Sequence, residues 1–229
     1  PMEGMGVVRV KNIEAVIFDL DNTILNRSRT FRNFAAGFVR DWIGHAEEKD
    51  TLIERIIELD QDGYKEKTAL FGELLDELPW EDKPGLDELM AYYRMHYVRN
   101  AALVDQAEEV LQALNSRYRL GLITNGRREI QYGKIDRLGI RHLFEFILVS
   151  EEAGVKKPDP RIFEMALDRL RLRPEACVYV GDHPRNDIEG AGKAGMRTVW
   201  IKVNQPWIPE LDMRPDHEIG RLTELLGLL

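Results

Sequence analysis

The sequence predicts an α/β protein, a doubly wound parallel sheet with an all-helical block inserted into it. Three observations lead there. Ala15-Val16-Ile17-Phe18 is a continuous apolar run, the pattern of a parallel strand buried on both faces. From residue 104 onward, short apolar runs alternate with helical patterns, and this alternation builds a parallel sheet with helices on both faces. Between the two, residues 28–100 show helical periodicity alone. The expected division is therefore a core domain of residues 1–27 and 101–229 and a helical domain of residues 28–100.

The elements follow in chain order. The first strand ends at Asp19. Four helices come next: one through Phe31, Phe34, Phe38 and Trp42, one through Leu52, Ile53, Ile56 and Ile57 after Thr51, one through Leu70, Leu74 and Leu78 stopped by Pro79, and one through Leu86, Met90, Tyr93 and Tyr97 after Pro84-Gly85. Asp105 with Glu108 has the spacing of a capping box and predicts a helix through Val110, Leu111 and Leu114. Leu120–Ile123 is the second strand, ending in Thr124-Asn125-Gly126. A helix over 127–138 stops at Gly139. Phe146–Val149 is the third strand. Asp159-Pro160 opens a helix through Leu170, with proline at its first position. Cys177–Val180 is the fourth strand, ending in Gly181-Asp182; a short helix over 188–194, a fifth strand over 198–203, an extended piece near Ile219 and a last helix through Leu225 complete the chain.

Composition narrows the function. The 229 residues carry 32 Lys plus Arg and 40 Asp plus Glu, a net charge of −8. That balance opposes a nucleic-acid polymer as partner, because phosphate binding needs an excess of Lys and Arg. No apolar run approaches the roughly 20 residues of a membrane helix. Val7–Val10 is too short for a secretory leader and is broken by Arg9, so the cytoplasm is the expected compartment. Pro1 stands where Met is usual, which makes Met2 and Met5 candidate starts. Cys177 is the one cysteine, which excludes an intrachain disulfide and a multi-cysteine zinc site.

Polar residues fall at the carboxyl ends of the predicted strands, where doubly wound sheets bind ligands. Asp19-Leu20-Asp21-Asn22-Thr23 places two carboxylates directly after a buried strand. A plain turn would use the same residues. Two carboxylates leaving an apolar strand are costly unless paired or bound to a cation; one can attack an electrophile while the other moves protons. Gly181-Asp182-His183-Pro184-Arg185-Asn186-Asp187 adds two more, with Asp187 also suited to cap the next helix. Four carboxylates together require positive charge, and all-oxygen donors suit magnesium. Lys157, before Pro158-Asp159-Pro160, is a cation for a phosphate, with Lys156 as the competing residue. Thr124-Asn125-Gly126 offers a hydroxyl and backbone amides at a helix start, as an ordinary cap also would.

In this order, Phe18-Asp19-Leu20-Asp21-Asn22-Thr23, Leu122-Ile123-Thr124-Asn125-Gly126, Lys157-Pro158-Asp159-Pro160 with Ile162-Phe163, and Val180-Gly181-Asp182 through Asp187 resemble the haloacid dehalogenase-like hydrolase superfamily. The helical block lies where that family inserts a four-helix cap. The text around residues 122–167 looks most like the branch of pyrimidine 5′-nucleotidases and N-acylneuraminate 9-phosphatases. The resemblance implies a Rossmann-like core and magnesium-dependent hydrolysis of a small phosphorylated metabolite. It implies Asp19 as nucleophile forming an aspartyl phosphate and Asp21 as general acid and base. Leu20, Asp21, Thr124, Asn125 and Lys157 would surround the phosphoryl group. Asp19, the Asp21 carbonyl and Asp182 would hold the magnesium, with Asp187 behind them orienting a bound water or Lys157. His183 departs from the family, where Ser or Thr is frequent.

Other readings remain open at this point. Dehalogenases of the same fold lack the second carboxylate, and Asp21 opposes that reading. Phosphonate-cleaving relatives use a cap lysine; Lys49, Lys65 and Lys67 sit in polar sequence and are expected on a solvated face. A sugar phosphomutase shares the core and is the second enzymatic reading. A non-catalytic phosphate- or metal-binding module is the reading from another class. Within the helical block, Asp62-Gly63-Tyr64-Lys65 is either a substrate-contacting loop or, slightly favoured, a solvated turn.

Overall fold

A computed structural model describes residues 10–229; Met2, Met5 and the 7–9 part of the leader-like stretch lie outside the described residues. Strand β1 (Ala15–Phe18) is followed by four helices, α1 (Arg27–Trp42), α2 (Lys49–Asp60), α3 (Lys67–Glu77) and α4 (Leu86–Arg99). Then come α5 (Ala107–Asn115), β2 (Arg119–Thr124), α6 (Arg128–Leu138), β3 (Phe146–Val149), the short α7 (Ser150–Ala153) and α8 (Pro160–Leu170). Strand β4 (Cys177–Gly181), a wide-turn helix over Pro184–Glu189, the short α9 (Gly190–Lys193), β5 (Arg197–Ile201), β6 (His217–Ile219) and α10 (Leu225–Leu228) complete the chain. These elements form two compact units, Asn26–Ala102 and the remainder on either side of it.

The larger unit is built on six parallel strands in the order β3-β2-β1-β4-β5-β6. β1 lies between β2 and β4, where the strand order reverses, and its four residues are fully buried. Such a reversal opens a crevice at the carboxyl ends of the strands. On one face, Ile162, Phe163, Ala166 and Leu170 of α8 pack with Ile17, Ile123 and Tyr179. The extended piece near Ile219 is a true strand, β6, pairing with β5.

Local chemistry explains most element ends. Asp159 caps α8 by accepting the Arg161 N–H at 3.0 Å. Gly139 ends α6 in the left-handed conformation, φ 70°. Helix α5 starts later than a capping box of Asp105 with Glu108 would place it. It begins at Ala107 after Gln106, which is left-handed at φ 61° and makes no side-chain cap bond.

The helical unit has its own core. Phe34, 1% exposed, lies within 6.5 Å of the rings of Phe31, Phe38, Phe71, Tyr92, Tyr93 and Tyr97. Beside it is an ionic cluster. Asp60, 1% exposed, pairs with Arg27 and Lys67, each at 2.7 Å. This corrects the expectation for Lys65 and Lys67. Their side chains are only 16% and 15% exposed, with Lys65 paired to Glu73. Burial lowers the Lys67 ammonium's pKa, against the opposing pull of Asp60. Sequence polarity misled here because Asp60 draws the lysine inward. Tyr64 is 59% exposed on the turn between α2 and α3.

Truncating the centre of the aromatic core should show how much it carries. Phe34→Ala is expected to destabilise the protein by about 3–5 kcal/mol, the usual cost of removing a buried ring. Denaturant unfolding measures it, and a loss below about 1 kcal/mol would mean that these rings do not act as one core.

Candidate active site

The site is assembled from the ends of β1, β2 and β4 and from the loop before α8. Asp19 continues β1 by one residue, its N–H donating to the Val180 carbonyl at 2.9 Å. The chain then turns sharply. The Leu20 carbonyl accepts N–H groups from Thr23, Ile24 and Leu25, and Asn22 is left-handed at φ 63°, a conformation asparagine tolerates. The turn leaves Asp19 almost buried, at 7% exposure, with the Thr23 hydroxyl donating to its Oδ2 at 3.2 Å.

Of the two neighbouring lysines, Lys156 is exposed and Lys157 is buried at 3% exposure. Its Nζ donates to Asp19 Oδ1 and Asp187 Oδ1, both at 2.7 Å, and to the Tyr179 hydroxyl at 2.9 Å. Asn125 clamps its backbone. Asn125 Oδ1 accepts the Lys157 N–H at 2.9 Å, and Asn125 Nδ2 donates to the Lys157 carbonyl at 3.0 Å. The Asn125 side chain is thus occupied in holding the lysine loop. The Gly126 N–H donates to Ser150 Oγ at 2.9 Å.

Asp187 uses both oxygens. Oδ1 accepts from Lys157 and from the Tyr179 hydroxyl at 3.3 Å, and Oδ2 accepts the His183 N–H at 2.9 Å. It fits because residue 181 is glycine; a Cβ there would lie 2.4 Å from the Asp187 Cγ. His183 caps the following turn, its Nδ1 accepting the N–H groups of Arg185 and Asn186 at 3.2 and 3.1 Å. Burial holds its imidazole below the ordinary histidine value, which suits an accepting Nδ1. Asp182, 5% exposed, is anchored through its carbonyl, which accepts from Trp200 Nε1 at 2.8 Å.

Electrostatics follow from this crowding. Burial by itself would push the Lys157 ammonium down, but Asp187 and Asp19 outweigh it and hold its pKa well above the usual lysine value. Burial pushes the Asp19 carboxyl up from 3.8 to about 7; Lys157 offsets part of this and Asp187 adds to it. Oxygens of Asp19, Asp182 and Asp187 lie within 4.8 Å of one another. Three buried carboxylates against the Lys157 ammonium leave two negative charges in excess when all are ionised. A divalent cation would balance that excess, and the donors are the hard oxygens that magnesium and calcium prefer.

Asp21 occupies different surroundings. Its side chain is 25% exposed, and Lys134 Nζ donates to Oδ1 and Oδ2 at 2.7 and 3.0 Å. Gln131 Nε2 donates to Asp21 Oδ2 at 3.0 Å and also to Thr124 Oγ1. Sequence reasoning missed Gln131, Lys134 and Tyr179. A signal existed: Gln131 and Lys134 lie on the buried face of α6 with Ile130 and Ile135. Tyr179 puts a hydroxyl inside a wholly buried strand, where it needs a partner.

Comparison with known proteins places the chain in a family. The haloacid dehalogenase-like hydrolase family model matches residues 16–201. This chain belongs to that family. It is 34% identical over 226 residues to glyceraldehyde 3-phosphate phosphatase of Methanopyrus kandleri, covering 95% of this chain and 97% of that one. It is 28% identical to N-acylneuraminate-9-phosphatase of Mus musculus, covering 98% and 96%. Among solved structures, a putative hydrolase of the same family from Bacillus subtilis, bound to magnesium, matches with TM-score 0.80 at 25% identity, covering 96% of this chain and 99% of that one.

The raised Asp19 carboxyl makes a stability prediction. A carboxyl whose pKa is higher folded than unfolded stabilises the fold below the unfolded value, and the contribution is lost as pH rises through the folded one. The window here runs from 3.8 to about 7. In chelator-treated protein, Asp19→Asn should therefore be more stable than the parent at about pH 8, by on the order of 1–4 kcal/mol. The difference should shrink towards about pH 4. Paired denaturant titrations read this, and a variant less stable at both pH values would refute it.

Proposed function

We propose that this chain is a magnesium-dependent phosphatase that hydrolyses a small phosphate monoester through an aspartyl phosphate on Asp19. The observation carrying this reading is the 2.7 Å contact of Lys157 with Asp19 at the end of the central strand, with a second carboxylate, Asp21, two residues on. The phosphatase relatives support it from outside the structure.

The steps assign a part to each residue. An Asp19 oxygen attacks phosphorus, and the bond from phosphorus to the leaving oxygen breaks. Lys157, the Thr124 hydroxyl and backbone N–H groups of Leu20, Asp21 and Asn125 hold the phosphoryl oxygens, which is the positioning that phosphoryl transfer needs. The Asp21 carboxyl gives its proton to the leaving oxygen, releasing an alcohol. Water then attacks the phosphorus of the aspartyl phosphate, Asp21 takes its proton, and inorganic phosphate leaves with Asp19 restored. The Asp19 and Asp182 carboxylates and the Asp21 backbone carbonyl would hold magnesium, which when bound supplies positive charge against the anionic phosphoryl group. Asp187, with both oxygens taken, orients Lys157. In this reading the chemistry belongs to residues 1–27 and 101–229, and the helical domain of residues 28–100 selects the substrate. Glyceraldehyde 3-phosphate and N-acylneuraminate 9-phosphate head the screen, given the relatives' names.

Asp19→Asn keeps the shape but removes the nucleophile, so phosphate release should fall by at least about three orders of magnitude. Retention of more than a few per cent would remove Asp19 from that role. Lys157→Ala should reduce turnover far more than Lys156→Ala, which makes the same change in net charge. Equal small effects would mean that another group meets the phosphate.

Excess chelator should abolish phosphate release, and added magnesium should restore it. Full turnover in chelator would contradict the metal assignment. Product analysis belongs with the same assay, because an isomerised sugar phosphate without inorganic phosphate would indicate a mutase.

A further inference from the structure

We propose that Lys134, together with Gln131, is a positioning residue that fixes the Asp21 carboxyl group for proton transfer. The inference rests on the phosphatase reading and adds to it the device that sets the proton donor in place.

The geometry has three parts. Residues three apart on a helix share a face, so α6 points Gln131 and Lys134 the same way. Both are 3% exposed. Lys134 spans the two Asp21 oxygens at 2.7 and 3.0 Å, which fixes the rotation of the carboxyl group and not merely its place. Gln131 joins the same carboxyl to the Thr124 hydroxyl through one amide nitrogen, so the proton donor and a phosphoryl-binding hydroxyl are tied to one side chain.

A purely structural ion pair would not need this arrangement. A buried ammonium requires a charged or strongly polar partner, but Asp21 itself keeps a quarter of its side chain exposed. Two side chains of α6 thus hold the carboxyl while part of it stays exposed. Proton transfer needs such a geometry, because the donor must reach a substrate oxygen at hydrogen-bond distance without searching.

The test is the dependence on leaving group. kcat/KM reports steps up to cleavage of the bond between phosphorus and the leaving oxygen, the step in which Asp21 gives its proton. p-Nitrophenyl phosphate releases a stable phenolate and needs little protonation, whereas an alkyl phosphate such as glyceraldehyde 3-phosphate needs it. Lys134→Met should lower kcat/KM for the alkyl phosphate by about 100-fold, the lower range for a general acid. For the aryl phosphate the loss should stay under about 10-fold. Lys134→Arg should recover part of the loss, and Gln131→Leu should show the same ordering with smaller losses. In an Asp21→Asn background, Lys134→Met should cost little more, because both act on one proton transfer.

Equal losses on the two substrates, a change confined to KM, or losses that add fully to those of Asp21→Asn would overturn the proposal; they would make Lys134 a substrate-binding or merely structural residue. Circular dichroism and melting accompany each variant. If Lys134→Met does not fold, the Arg and Gln131 variants carry the same comparison. The Asp19→Asn control separates the two levels. Loss of both substrates there, with Lys134→Met unaffected, removes this inference alone. A parent chain that releases no phosphate from either substrate removes both.

Discussion

The Lys157 ammonium, buried between Asp19 and Asp187, is the interaction on which the rest of the site depends. It offsets part of the cost of ionising Asp19 at this depth, and Asp187 and Asp19 in turn keep the buried lysine charged. Its position demands much of the surrounding chain. Asn125 fixes the loop that carries it, Tyr179 supplies a third oxygen, and Gly181 leaves room for Asp187 to approach. The adjacency of β1 and β4 in the sheet brings residues 19 and 187 to one ammonium.

The same turn that presents Asp19 presents Asp21 to opposite conditions. Asp19 lies among acids that outnumber its cation, and burial raises its carboxyl. Asp21 is partly exposed and held by the ammonium of Lys134. Two carboxylates separated by one residue thus have separate environments, the usual way in which neighbouring acids come to have different tasks. The proposed division into nucleophile and proton carrier rests on this difference.

The helical unit follows another logic. Its rings pack around Phe34, and its one fully buried acid, Asp60, gathers Arg27 from the start of α1 and Lys67 from the start of α3. The ionic cluster therefore joins the first turns of two helices through the end of a third, α2. Breaking one partner would leave a buried charge exposed to no compensation, a far larger penalty than loss of a surface pair.

The sequence alone determined the strand–helix alternation, the place of the helical insertion and the four segments proposed to carry the chemistry. Those features are local: apolar runs, helical periodicity, and Gly, Pro and Asp at element ends. It also bounded the ligand, since an acidic chain with clustered carboxylates calls for a cation. The tertiary structure decided what depends on residues distant in the chain. It buried Lys157 among Asp19, Asp187 and Tyr179 and left Lys156 exposed. It gave His183 a capping part, with Nδ1 accepting two N–H groups of the following turn. It moved Lys65 and Lys67 largely out of solvent and set the start of α5 at Ala107 rather than at Asp105. Above all it brought Gln131, Lys134 and Tyr179 to the site. Their partners lie 110, 113 and 22 residues away, at Asp21 for the first two and Lys157 for the third. No periodicity or motif encodes such pairings, because a side chain's partner across a sheet is set by strand order and register, and only the folded chain specifies those.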